Sequence, residues 1–210
     1  LMLTTATTPA PVFNMAAYGA LVDQASTNCK NARGKEIDVG LLWKLAEVES
    51  TYNPPPEVRG MVLAAACMES GYNPSAKGDH KFSRSGKEPM AIGILQMWPI
   101  YERMFPWMDR TDPIAAAHGW MKHIVKMIPR VKRRCGYKTP KKIWIAAWVT
   151  GIRSKKKDGR CKEKPLHLRL LKRWQRNIRK TVNKYDNYYD IKRDLGSPIN
   201  DNDGGGCHSK

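Results

Sequence analysis

The sequence contains no long apolar run, few acidic residues and no closely spaced cysteines, and each absence excludes a class of protein. The longest apolar stretches, residues 61–68 and 143–149, fall far short of the ~20 residues that a membrane-spanning helix needs. The five cysteines form no CxxC pair and combine with no histidine at a spacing typical of zinc sites. We therefore expect no membrane span, no metal and no other cofactor.

The shortage of acidic residues leaves a strongly basic chain. Asp and Glu number 19 against 37 Lys and Arg, which gives a formal net charge of +18 at pH 7. Such a surface attracts polyanions, and nucleic acid, anionic lipid and an anionic cell wall all qualify on charge alone. The apolar fraction of 41% is enough to form a core, so a folded chain is expected rather than a disordered one.

Helical periodicity dominates the pattern of apolar residues, and we predict a mainly α fold. Helix starts are indicated at Asn14, at the N-cap candidate Asp38, at Glu57, at Asp112-Pro113, at Thr139-Pro140 and at Pro165. Residues 71–89 have no period and are predicted to form a long surface loop. Residues 91–99 are too apolar for a free loop and too short for a helix, which predicts two short strands or a hairpin that borders a cleft.

The same patterns predict the domain organisation. We expect an extended lead-in over residues 1–13, a single domain over residues 14–195 that includes a basic helix over residues 165–195, and a flexible tail over residues 196–210. The first residue is Leu rather than Met. We therefore expect the start to be a processed or a truncated end. We also expect the protein to be secreted or periplasmic, with a signal peptide that has been removed.

An exported protein commonly carries disulfides. The preferred pair is Cys135 with Cys161, because these residues bracket the helix after Thr139 and the lysine-rich loop that follows it. Free thiols remain an alternative, since connectivity does not follow from sequence. Cys67, inside an apolar helix, is interpreted as a small core residue.

One carboxylic acid ends an apolar helical run. Glu69 follows residues 64–68 and precedes a turn that Gly71, Asn73 and Pro74 enforce. Burying a carboxylate is costly, and the negative end of the helix dipole adds to the cost. Both effects favour the protonated form of Glu69, which is the form that a general acid requires.

A second glutamate has a similar setting. The segment after Glu49, through Pro54, resembles the segment after Glu69, through Pro74. We interpret the similarity as chance or as a shared helix-ending turn, because no longer period supports a repeat. Only a proline stop follows Glu49, so Glu69 is the preferred candidate acid.

Three blocks of sequence carry a resemblance to a known family. They are Glu69-Ser70-Gly71-Tyr72-Asn73-Pro74-Ser75-Ala76, Gly93-Ile94-Leu95-Gln96-Met97-Trp98-Pro99 and Ala147-Trp148-Val149-Thr150-Gly151. Together they resemble the soluble lytic transglycosylase domain and its relatives, the goose-type and phage tail lysozymes. The similarity covers residues 58–151, which is near half of the chain.

The resemblance implies a lysozyme-like helical fold with a small β-hairpin at the cleft. It implies cleavage of the β-1,4 bond between N-acetylmuramic acid and N-acetylglucosamine in peptidoglycan, by a monomer whose partners are glycan strands and the anionic wall. Glu69 would be the catalytic acid that protonates the glycosidic oxygen and then acts as a base. Ser70 would stabilise the turn, and Gln96 would line the cleft and form a hydrogen bond to the glycan. Trp98 and Trp148 would also line the cleft, with Trp148 in place of a tyrosine of the family.

The outcome of the reaction stays open. Glycosidases ordinarily use two carboxylates, and Asp79 is the candidate for the second. If an aspartate holds a water the product is hydrolytic, whereas attack by the muramic acid 6-hydroxyl leaves a 1,6-anhydro sugar. Trp148-Val149 stand where the family has Tyr-Asn, and this loss of polar groups predicts an altered wall as substrate, for instance one with deacetylated sugars.

A function of another class remains as the alternative. The chain would then be a catalytically inactive cationic module that binds cell wall or nucleic acid. Its main signal is the basic helix from Pro165, in which Trp174 lies among Arg and Lys residues. A binding module has no need of an acid at the end of an apolar helix, so we expect an enzyme without a nucleic-acid partner.

Overall fold

The computed structural model of this chain describes residues 15–83, 85–148 and 166–194, and within the last range the side chains of residues 167–181. The expected lead-in and tail lie outside the described residues. Within them the chain is mainly helical, with seven α-helices and one two-stranded sheet, so the predicted class is confirmed. None of the described helices is both long and apolar enough to cross a membrane.

The described α-helices lie in the following order along the chain. They are α1 Met15–Asn28, α2 Val39–Ser50, α3 Met61–Ser70, α4 Pro99–Met104, α5 Pro113–Cys135, α6 Pro140–Trp148 and α7 Leu166–Asp194. Two predicted N-caps are present, because the Asp38 carboxylate accepts from Leu41 N at 3.0 Å and the Asp112 carboxylate accepts from Ile114 N at 2.7 Å. These caps hold the starts of α2 and α5.

Helix α3 forms the centre of the core. All seven residues from Met61 to Cys67 are buried, and α1, α2 and α7 pack around the helix. The prediction that this helix begins at Glu57 is wrong. A 3₁₀ turn over Pro56–Val58 and the left-handed Gly60 (φ 88°) precede it. A Cβ at Gly60 would lie 3.1 Å from the side chains of Leu21 and Leu171, which is a tight contact, and the positive φ favours glycine.

The long basic helix α7 is part of the same core. It packs on α1 and α3 and buries Leu168, Leu170, Leu171 and Trp174, while Arg169 and Lys172 between them are exposed. The apolar stripe predicted from helical spacing therefore faces the other helices. Since α7 returns to α3 from far along the chain, it brings its first turn beside the end of that helix.

The sheet pairs a segment predicted to be a loop with a segment predicted to be extended. Strand β1, Lys77–Gly78, pairs antiparallel with β2, Ala91–Ile92, and a bridge links Ile92 with Met97. We call β1, β2 and the turn from Ile92 to Met97 the hairpin. The extended segment predicted in residues 91–99 is present, but its main partner comes from the predicted loop over residues 71–89. A strand of two residues leaves no periodic signal in the sequence, which explains the difference.

A disulfide connects Cys29 with Cys67 across a Cα–Cα distance of 5.7 Å. The interpretation of Cys67 as a core residue is confirmed, because its side chain is 1% exposed, and the residue is in addition disulfide-bonded. The bridge ties the 3₁₀ turn Lys30–Ala32 to the last turns of α3. Cys135 is also disulfide-bonded, and its predicted partner Cys161 lies outside the described residues.

Candidate active site

Glu69 occupies the last turn of α3, where the helix leaves the core. Its side chain is 38% exposed and the preceding Met68 is 40% exposed. The prediction that Glu69 is buried is therefore wrong, because the buried part of α3 ends at Cys67. This exposure leaves the carboxylate accessible from solvent.

A left-handed glycine ends the helix directly after the acid. Gly71 has φ 62°, and its N–H donates to Cys67 O while Tyr72 N–H donates to Ala66 O, so the last carbonyls are satisfied. A Cβ at Gly71 would lie 2.3 Å from the backbone oxygen of Asn31. The turn that carries Glu69 thus depends on glycine for two independent reasons, its φ angle and its close neighbour.

Ser70 fastens this helix end to the hairpin. Its hydroxyl donates to Ile94 O at 2.8 Å and accepts from Asn73 N–H at 3.1 Å. Both partners are backbone atoms, one in the turn after α3 and one in the segment after β2. This geometry matches a turn-stabilising role for Ser70.

Gln96 braces the hairpin from the other side. Its side-chain N–H₂ donates to Ala76 O at 3.0 Å and to Gly93 O at 2.9 Å, and its backbone is left-handed with φ 47°. Its Oε1 lies so close to Gly78 that a Cβ there would be 2.5 Å away. The amide N–H groups are therefore used within the protein, and the expected bond to glycan stays a prediction.

Asp79 and Trp98 are brought together as one unit. The indole N–H of Trp98 donates to Asp79 Oδ2 at 2.9 Å, across the hairpin. The ring of Phe82 lies 5.5 Å from that of Trp98, and Phe82 is 54% exposed with Lys81 Nζ above its ring. Sequence reasoning missed Phe82, which is an aromatic residue within the loop over residues 71–89.

The closest partner of Glu69 is a histidine that the sequence did not single out. His167, in the first turn of α7, places Nε2 2.7 Å from Glu69 Oε1. The two residues are 98 positions apart, and a lone histidine in a basic helix carries no signal that would pair it with an acid. The His167 side chain is only 19% exposed.

Trp148 lies behind this histidine rather than in an open cleft. It is 2% exposed, its ring stacks on His167 at 6.1 Å and 13°, and its edge meets Trp120 on α5. The predicted cleft-lining role of Trp148 is therefore wrong, because no face of the ring is left for a sugar. Its indole N–H has no hydrogen-bond partner among the described residues.

A tyrosine on α4 adds to the surroundings of Glu69. Burial raises the pKa of Tyr101, and the negative charge of Glu69 raises it further. The ring of Tyr101 packs edge-on against His123 at 5.2 Å. Helix α4, Pro99–Met104, which carries Tyr101, follows Trp98 directly. The segment after the hairpin therefore also contributes to the surroundings of Glu69.

Glu49 differs from Glu69 in its environment. Both glutamates stand one residue before the end of their helix, but the turns that follow them differ, because Thr51 is right-handed (φ −62°) and Gly71 is left-handed (φ 62°). Glu49 is fully buried, and its carboxylate accepts from Tyr18 OH, Gly60 N–H and Val62 N–H at 2.6–3.1 Å. Burial raises the pKa of Glu49 to about 7 despite these donors. No substrate can reach it, so Glu69 is the acid available for chemistry.

Comparison of the chain with protein-family models, curated proteins and solved structures gives no match. The three sequence blocks and the geometry around Glu69 are therefore the features that indicate a function.

Proposed function

We propose that this protein is a secreted or periplasmic peptidoglycan glycosidase that cleaves the β-1,4 bond between N-acetylmuramic acid and N-acetylglucosamine. The observation that carries the proposal is the position of Glu69. It is a partly exposed carboxylic acid at the end of a buried helix, and Ser70 ties the following turn to a hairpin. Two of the blocks that carry the resemblance contact each other here, because the Ser70 hydroxyl donates to Ile94 O, and Trp148 of the third block lies against His167.

In this mechanism Glu69 first acts as a general acid. Its proton moves to the glycosidic oxygen as the bond from that oxygen to C1 of the muramic acid breaks. The carboxylate then accepts a proton from the nucleophile that attacks C1. Proton transfer of this kind contributes about 10²- to 10⁴-fold to the rate of such reactions.

The nucleophile decides the product. In a hydrolytic reaction Asp79, oriented by the Trp98 indole, holds the attacking water. In a lytic reaction the 6-hydroxyl of the muramic acid attacks and no second carboxylate is needed. Mass spectrometry of the released muropeptides separates the two, since only the second leaves a 1,6-anhydro end.

The Cys29–Cys67 disulfide supports the proposed localisation. Stable disulfides form in oxidising compartments such as the periplasm and the extracellular space, and are rare in the cytosol. The anionic wall of the same compartment suits a chain with a net charge of +18.

The test is the substitution Glu69→Gln, which keeps the size of the side chain but removes the transferable proton. We expect the release of muropeptides to fall by about 100-fold or more. The matched control is Glu47→Gln, an exposed glutamate on α2, which should digest peptidoglycan like the wild type. Circular dichroism should show the same helical content in all three proteins.

The alternative of an inactive cationic binding module predicts a different result. The exposed basic residues of α7, among them Arg169 and Lys172, favour it. In that case wild type and Glu69→Gln would both sediment with insoluble peptidoglycan, and neither would release fragments. Digestion by Glu69→Gln at the wild-type rate would instead show that the acid has been assigned to the wrong residue.

A further inference from the structure

The two oxygens of the Glu69 carboxyl group have different surroundings. Oε1 lies 2.7 Å from His167 Nε2. Among the described residues no donor lies within hydrogen-bond distance of Oε2. One oxygen is therefore held by the protein, and the other is open to whatever enters the site.

The imidazole that holds Oε1 is itself fixed. One face of its ring stacks on Trp148, and the edge of Trp148 in turn meets Trp120. The backbone of His167 is anchored because Leu168 and Leu171, in the same helix, are buried against the core. The stacking and the buried helix therefore fix the position of Nε2 relative to Glu69.

Without such a partner the Glu69 side chain would be mobile. An exposed glutamate has three rotatable bonds, and a general acid works only when its proton points at the leaving oxygen. A single hydrogen bond to Oε1 restricts these rotations while it leaves Oε2 free. This arrangement suits a carboxylic acid whose free oxygen must point its proton at the leaving oxygen.

We propose that His167 is a positioning residue for Glu69, with Nε2 carrying the hydrogen and Oε2 as the oxygen that transfers the proton. The inference rests on the proposed function of Glu69. In the acid form of Glu69 that the reaction requires, Nε2–H donates to Oε1 and the acidic hydrogen is on Oε2. During the reaction the O–H bond at Oε2 breaks, the proton bonds to the glycosidic oxygen, and that oxygen keeps the electron pair of its bond to C1.

The hydrogen bond from His167 strengthens as this step proceeds. Its acceptor changes from a neutral acid to a carboxylate, and hydrogen bonds to charged acceptors are roughly twice as strong as neutral ones. The gain is larger in the transition state than in the ground state, so the rate rises. We therefore expect His167 to affect kcat rather than KM.

Two substitutions separate the hydrogen bond from the packing. His167→Phe keeps an aromatic ring against Trp148 but has no N–H, and His167→Gln restores a side-chain N–H near the same place. We expect kcat to fall by about 10- to 100-fold in His167→Phe with KM unchanged, and to recover in part in His167→Gln. The control is His118→Phe, which removes another partly buried imidazole, hydrogen-bonded to Tyr52 at 3.1 Å, and should leave kcat as in the wild type.

Wild-type kcat in a folded His167→Phe protein would overturn the proposal. So would a loss in His167→Phe of which His167→Gln recovers nothing, because the N–H would then not be the active feature. A second test uses proton NMR and needs no activity. The imidazole N–H resonance of His167 is assigned as the one that disappears in His167→Phe. It should lie downfield in the wild type and move upfield in Glu69→Gln, and an unchanged resonance would show that the pair does not form. If the wild type releases no muropeptides, the proposed function fails, while this resonance still reports on the pair.

Discussion

The buried carboxyl group of Glu49 should make the stability of this protein depend on pH. Burial raises its pKa from an ordinary 4.5 to about 7, against three hydrogen-bond donors that favour the charged form. The folded state therefore holds a proton between these values that the unfolded state has released. Under these conditions the free energy of unfolding decreases as the pH rises.

The magnitude follows from the two pKa values. Each factor of ten in the dissociation constant corresponds to about 1.4 kcal/mol, so ionising Glu49 inside the core costs about 3 kcal/mol. Below pH 4.5 the group is protonated in both states and the cost is absent. Through the range up to about pH 7 the cost develops, and above that range it is complete.

The perturbation that isolates this effect is Glu49→Gln. The amide is close in size to the protonated acid and does not ionise. The free energy of unfolding of both proteins is measured in urea with the disulfides intact. Relative to the wild type, the variant should gain about 3 kcal/mol of stability between pH 4.5 and pH 8. Glu47→Gln, two residues earlier and exposed, should show no such trend.

A difference curve that is flat, or that rises with pH in favour of the wild type, would refute the reasoning. A flat curve would mean that the bonds from Tyr18, Gly60 and Val62 balance the loss of hydration. A rise would mean that they outweigh it and that Glu49 stays charged inside the protein. The variant would then leave the donors without a charged acceptor and lose stability at every pH above 4.5.

Two further predictions concern the cross-link and the turn. Replacing Cys29 and Cys67 together by Ser opens a loop of 38 residues and should lower the free energy of unfolding by about 4 kcal/mol in urea titrations; an unchanged midpoint would contradict this. Gly71→Ala forces a side chain towards Asn31 O at a positive φ, which should cost about 2 kcal/mol and reduce glycan cleavage as Glu69 shifts; a variant as stable and active as wild type would show that the turn tolerates a Cβ. The predicted preference for a deacetylated wall loses its physical reason, because Trp148 is buried behind His167 and not in the cleft.

Several features of the fold were predictable because they depend on neighbours within one turn of the chain. Asp38 and Asp112 cap α2 and α5 through bonds that reach two or three residues ahead. Other features depend on distant segments. The start of α3 at Met61 reflects the donation of Gly60 N–H and Val62 N–H to Glu49, and the pairing of Cys29 with Cys67 depends on how α3 packs against the preceding turn.

The misjudged site residues share this cause. Trp148 has an aromatic ring that suits a sugar, but every residue of α6 from Ile143 to Trp148 is buried, so its sequence pattern does not identify an exposed face. His167 approaches Glu69 only because α7 packs on α3.

The sequence alone determined the local setting of the candidate acid, namely a glutamate at the end of an apolar helix followed by a serine and a glycine turn. Glu49 and Glu69 have similar local sequences, because helix-ending signals act over only three or four residues. Only the tertiary structure decided which glutamate is accessible. Tyr18 and the start of α3 cover Glu49 completely, whereas Glu69 meets His167 at one oxygen and leaves the other open. Burial depends on which distant elements cover a helix end, and no local pattern encodes that.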